Sequence, residues 1–204
     1  MSAQEALVNI LLRAAEDGNT SLINSTQYPP ECLTQALCVA SKNGNVNAMT
    51  ALIAAKAPIN QCHEKYAPLH LAVINRKIDA VKALINARAD VDVLNATGNT
   101  PLAVAASKNR IDAMNLLIAA KASLDAVNAQ GYTPLIAAVS NSHTEAVRVL
   151  VESGANLEHR DAQKHTPLSL AALKGNTDIL RTLIDAKANT NAIIKDNKTA
   201  LRYA

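Results

Sequence analysis

Thr133-Pro134-Leu135-Ile136-Ala137-Ala138 is the stretch that decides the fold, because the chain says nearly the same thing on either side of it. Thr100-Pro101-Leu102-Ala103 stands 33 residues before it and Thr166-Pro167-Leu168-Ser169 stands 33 after it. One step further out are Ala67-Pro68-Leu69-His70 and Thr199-Ala200-Leu201. Thr followed by Pro is a helix start. The threonine oxygen can accept from an N–H of the first turn, and proline at the first helical position gives up only an N–H that would have no partner there. After Thr100-Pro101, the residues Leu102, Ala105 and Ala106 fall on one helical face. Asn109 stands where a left-handed residue must end that helix. Ile111–Ala120 reads as a second helix with Met114, Leu117 and Ile118 inward, and Asn128-Ala129-Gln130-Gly131 as a hairpin tip. The same phrasing predicts second helices near Asp79–Ala87, Thr144–Ser153 and Thr177–Ala186.

This period and this phrase resemble the ankyrin repeat, whose signature is Thr-Pro-Leu-His-x-Ala. The resemblance implies an all-α solenoid of helix–turn–helix units joined by β-hairpin loops. It covers residues 32–204, with the last repeat cut short at Ala204. Residues 1–31 read as a degenerate capping repeat: a helix over Glu5–Glu16 stopped at Asp17-Gly18, a stunted one over Thr20–Ser25, and a break at Pro29-Pro30. Thr34-Gln35-Ala36-Leu37 takes the place of Thr-Pro-Leu in the next unit, whose hairpin near Cys62 is one residue short. A chain that ends inside a first helix is expected to belong to a longer protein.

Composition agrees with thin helical layers. Hydrophobic residues make up 49%, yet Phe and Trp are absent and Tyr occurs 4 times, so the core must be Ala, Leu, Ile and Val. The net charge of +3 does not by itself call for nucleic acid or membrane. The 3 cysteines are an odd number, which argues against a disulfide framework and for a reducing compartment. Neither a signal peptide nor a long apolar run is visible, so an intracellular, cytoplasmic chain is expected. The alternative is a secreted bacterial effector acting in a host cytosol.

The family usually places Gly after the second helix, but here only Gly154 matches, and Lys56, Arg88, Lys121 and Lys187 hold the equivalent positions. They read as near-neutral replacements, or as a basic ladder along one edge. The tip glycine is kept at Gly98 and Gly131 and replaced by Lys65, Lys164 and Asn197. His70 and His143 occupy the family's structural histidine positions, and His159 is expected to be exposed.

Chemistry is scattered. Cys62-His63 is the one adjacent thiol and imidazole, and neighbours on an extended loop point apart, which suits neither nucleophile nor base. Cys32 and Cys38 lack a second pair for zinc. With only 6 glycines, none clustered, no phosphate loop is readable. No catalytic residue, metal or cofactor is therefore expected. The resemblance instead implies recognition of another protein by a monomer, through the hairpin tips and the concave first-helix face. The positions that vary there are Tyr66, Asn99, Tyr132 and His165 before the Thr-Pro step, and Ile74, Lys108, Asn141, Leu173 and Lys174 at the first-helix ends. A small-molecule substrate is not expected, and nucleic acid or membrane ranks below protein. The other functional reading makes the chain the targeting module of a larger enzyme or effector.

Overall fold

The structure is a computed structural model that describes residues 3–24, 28–190, 193–194 and 198–199. Two compact units divide the chain, Met1–Ala96 and Thr97–Ala204. In the first unit the helices are α1 (Ala3–Asp17), α2 (Thr20–Asn24), α3 (Pro30–Asn43), α4 (Val46–Ala54), α5 (Pro68–Ile74) and α6 (Ile78–Asn86). In the second they are α7 (Pro101–Ser107), α8 (Ile111–Ala119), α9 (Pro134–Ser140), α10 (Thr144–Glu152), α11 (Pro167–Leu173) and α12 (Thr177–Asp185). A short antiparallel pair, β1 (Ile193–Ile194) with β2 (Lys198–Thr199), follows α12. Asp196, Asn197 and the sixth unit's helix over residues 200–204 lie outside the described residues, as does the side chain of Lys198.

The helix starts follow the phrase. Thr100, Thr133 and Thr166 are extended at the N-cap, and each hydroxyl accepts from the N–H three residues on, at 3.2, 3.3 and 3.3 Å. Ala67 keeps the same backbone without a cap. The first helices are short and almost wholly inside: every residue of Pro101–Ala106 and Pro134–Val139 is buried. The second helices bury one stripe, such as Ala113, Met114 and Leu117 in α8, while Ile118 is only half-buried. That helix has one neighbour layer to face, so its fourth apolar position reaches the rim.

The turn between paired helices needs a left-handed residue, and Gly44, Arg76, Asn109, Ser142 and Gly175 supply it, with Asn109 at φ 52°. After the second helix the same is true of Lys56, Arg88, Lys121 and Lys187, at φ 67°, 61°, 67° and 68°. Each second helix ends in a double closure. In α8 the N–H of Lys121 donates to Ile118 O at 2.9 Å and that of Ala122 to Leu117 O at 3.0 Å, the bond pattern of a Schellman motif. The alanine after the cation is buried against the core in every unit: Ala57, Ala89, Ala122 and Ala188 match Ala155 behind Gly154. A lysine at positive φ costs about 1–2 kcal/mol, and a cation at a helix C-terminus returns about 0.3–1 kcal/mol. Freedom denied to the unfolded chain returns about 0.4–1 kcal/mol relative to Gly. These terms nearly cancel, so a cation can hold this position.

Two elements differ from the reading of the sequence. Helix α3 starts at Pro30, one turn before Thr34, with Pro29 at its N-cap. The second proline of the pair sits at N1 and opens α3, where a break in the chain was expected. Thr34 is then internal, and its hydroxyl donates to Pro30 O at 2.9 Å. The shortened hairpin is real and can be located. His63 and Tyr66 form an antiparallel bridge around a two-residue turn. The other tips instead close across three residues, from Asn128 to Tyr132 and from Asp161 to His165. In the short turn the left-handed residue is Glu64, at φ 58°, not Lys65. At Lys164 the turn is kept, with φ 71° in place of glycine.

Candidate functional site

The hairpin tips of the second unit are built on one side chain each. Asn128 Oδ1 accepts from the N–H groups of Gln130 and Tyr132, both at 2.9 Å. Asp161 does the same for Gln163 and His165, at 2.9 and 2.8 Å. Either residue folds the tip around its own oxygen, which fixes the residue that follows. Successive tips are also tied together. Asn128 Nδ2 donates to Asn99 Oδ1 at 2.8 Å, and His159 Nε2 lies 3.1 Å from Gly131 O. His159 is thus half-buried and engaged between tips, not the free surface residue expected. Gly131 is required twice over: its φ is +78°, and a Cβ there would meet Ala162 N at 2.8 Å.

On this frame stand the residues singled out from the sequence. Tyr132 is half-buried, held through its own N–H and C=O by Asn128. His165 is half-buried, its Nδ1 3.3 Å from Asp161 Oδ2, and Asp161 itself is 4% exposed. Asn99 is half-buried and spends its amide on Thr97 Oγ1 at 2.8 Å. At the helix ends Lys108, Asn141 and Lys174 are exposed. Asn141 turns back on its own helix, donating Nδ2 to Ala137 O at 2.8 Å, which leaves its carbonyl oxygen as the outward group. Leu173 is a large apolar side chain 44% exposed beside Lys174.

In the first unit, Tyr66 is half-buried with its ring 6.1 Å from that of His70, which is fully buried. Its carbonyl accepts from His63 N–H at 3.2 Å and from the Cys38 thiol at 3.8 Å. Ile74, at the end of α5, is half-buried. Histidine keeps a structural place at His143 too, whose Nε2 lies 3.1 Å from Ser107 O. The tip anchors Asn128 and Asp161 were not singled out, although Asn95, Asn128 and Asp161 stand 33 apart and four residues before the variable position.

The chemistry of the cysteines points away from nucleophilic work. Cys38 is buried and desolvation pushes its thiol up to about 12, so it stays protonated at neutral pH. Burial also raises the Cys62 thiol, which donates to Leu94 O at 3.4 Å. The neighbouring imidazole of His63 faces Glu64, with Nε2 4.0 Å from Oε1. Cys32, Cys62 and His63 share an open cleft of about 370 Å³ with Glu31, Gln35 and Gln61. Among the described residues no group of three His, Cys, Asp or Glu side chains is placed to hold a metal ion. No described helix is long and apolar enough to cross a membrane.

A family model for three copies of the ankyrin repeat matches residues 4–95 and 78–161, and a single-repeat model matches residues 163–197. The chain belongs to the ankyrin-repeat family. Its paired helices and intervening hairpins are that family's unit, repeated. Comparison with curated proteins finds no match. Ankyrin repeats generally serve as protein–protein interaction modules and are typically non-catalytic.

Proposed function

We propose that this ankyrin-repeat chain is a non-catalytic recognition module that binds a protein partner through its hairpin tips and first-helix ends. The anchors are Tyr66 and Ile74 in the first unit, and Tyr132, His165, Asn99, Leu173, Lys108, Asn141 and Lys174 in the second. One observation carries the reading. The backbones that present Tyr132 and His165 are fixed by Asn128 and Asp161 before any partner arrives. A surface already ordered loses little freedom on docking, so more of its contact energy appears as affinity. Tyrosine suits such a place, since it offers area and a hydroxyl on two rotatable bonds. The cap over residues 1–31, the monomeric state and the cytosolic setting belong to the same proposal.

The test compares partner capture from cytosolic lysate by the intact chain and by a Tyr66→Ala, Tyr132→Ala, Leu173→Ala variant, with helix content checked by circular dichroism. A protein retained by the intact chain and lost by the folded variant supports the proposal. Equal retention by both would move recognition to another face.

A further inference from the structure

Most carboxylates of the second unit keep to its second helices. The first helices α7, α9 and α11 contain no charged residue. Five carboxylates, those of Asp112, Glu145, Glu152, Asp178 and Asp185, all stand on the second helices. Asp125 and Glu158 lie in the loops after second helices and each accepts from a backbone N–H of the following repeat, Asn156 at 2.9 Å and Asn189 at 2.7 Å. The tip side has a single described carboxylate, Asp161, and it is buried and occupied by its own turn. Cations stand on both sides: Arg148 and Arg181 are on second helices and Lys121 and Lys187 just after them, while others stand on the tip side. Lys108 and Lys174 are exposed at the first-helix ends and Arg160 and Lys164 at a tip, with Arg110 half-buried in the turn after α7. None of Lys108, Lys164 and Lys174 has an ion-pair partner among the described residues.

We infer that the partner of this face is an acidic polypeptide segment, with one apolar side chain seated on Leu173 between its carboxylates. The inference rests on the recognition reading above and gives it a chemistry. Lys108, Lys164 and Lys174, with no ion-pair partner among the described residues, set a positive potential beside first helices that carry no carboxylate. That potential speeds the encounter with acidic segments and rejects basic ones. Leu173, 44% exposed and adjoining Lys174, supplies the apolar contact that charge alone does not. Nucleic acid fits less well. A strand carries a phosphate about every 3.4 Å and calls for dense cations with stacking aromatics. On this face the described cations come one or two to a 33-residue repeat, and Tyr132 is the sole aromatic besides histidine among residues 97–190.

The experiment pans a library of random peptides, about 12 residues long to match the reach of a few repeats, against the full chain. Selected sequences are synthesised and measured by fluorescence anisotropy. The inference expects binders rich in Asp and Glu with an apolar residue. Their affinity should fall about tenfold or more in a Lys108→Glu, Lys174→Glu variant and hold in a Lys121→Glu, Lys187→Glu variant. Binders without an excess of acidic residues, or a library yielding no acidic binder, would overturn it. If such neutral binders still lose affinity in Tyr132→Ala, the face stands and only its charge preference falls. Acidic binders that ignore Tyr132→Ala and the first pair, but fail with Lys121→Glu, Lys187→Glu, would overturn the face as well. Displacement of the acidic peptides by a DNA duplex, with the same dependence on Lys108 and Lys174, would reassign the surface to nucleic acid.

Discussion

Replacing Thr133 by Ala should cost this protein far more than an ordinary surface threonine would. The Thr133 side chain is fully buried and its Oγ1 accepts from the N–H of Ile136, itself fully buried, at 3.3 Å. Losing an N-cap of this type costs about 1 kcal/mol, with a range of about 0.5–2. The orphaned N–H has no solvent to turn to, and an unsatisfied buried donor costs about 1–3 kcal/mol. Thr133→Ala should therefore destabilise by about 2 kcal/mol, the upper end of the cap range. Thr133→Ser keeps the oxygen and loses one buried methyl, worth about 0.8 kcal/mol. The difference between the two variants isolates the hydrogen bond at about 1 kcal/mol or a little more. Urea unfolding followed by far-UV circular dichroism measures it, taking both variants against the parent at equal m-value. Equal midpoints for the two variants would refute the reasoning, because the acceptor oxygen would then contribute nothing and Thr-Pro would act through proline alone.

Gly131→Ala should destabilise by at least about 1–2 kcal/mol from its positive φ alone, and more because the new Cβ meets Ala162 N at 2.8 Å. A thermal midpoint unchanged from the parent would show that this tip is not packed on the next. Cys38 should be the slowest of the three thiols to react with a water-soluble disulfide reagent at neutral pH, since its thiol is pushed up to about 12 and Cys32 and Cys62 are half-exposed. Its rate should climb as pH rises toward that value, because the thiolate is the attacking form. Cys38 labelling as fast as Cys32 would mean that the α3–α5 packing opens readily.

The units were legible because a Pro-Leu start, preceded by a capping hydroxyl at Thr100, Thr133 and Thr166, is repeated at a fixed step. Helices α5 to α12 therefore begin within one residue of the places expected from Pro68, Pro101, Pro134 and Pro167 and the phrases after them. The start of α3 was missed for the converse reason. Pro29-Pro30 carries the N1 signal without a capping hydroxyl and, unlike Ala67-Pro68-Leu69, without the following Leu in register, so it read as a break. The one-residue shortening showed in the count, but not which residue would turn left-handed. In a two-residue turn that place moves to the first tip position, Glu64. The site was legible as positions rather than as contacts. Periodicity marks the residues before Thr-Pro and after the first helix. It does not tell that Asn141 folds onto Ala137 O or that His159 reaches Gly131 O, since these bonds depend on rotamers and on the neighbouring tip.

Part of the charge sorting has a cause internal to folding, which sharpens what remains to be explained by a partner. A helix favours anions at its N-terminus and cations at its C-terminus. Asp112, Glu145 and Asp178 in the first turns of α8, α10 and α12 follow that rule. So do Lys108 and Lys174 at the ends of α7 and α11. Each such lysine is then separated by one tight turn from a carboxylate, Lys108 from Asp112 and Lys174 from Asp178. If stability were their whole purpose, those pairs would be expected to close, yet neither is among the described ion pairs. The dipole does not reach the tips at all, where Lys164 stands exposed beside buried Asp161 and Arg160 stands exposed two residues from Glu158. Macrodipole energetics thus account for which end of a helix carries which sign. They do not account for Lys164, exposed at a tip with no ion-pair partner among the described residues, and that residue of the pattern is what an acidic partner explains.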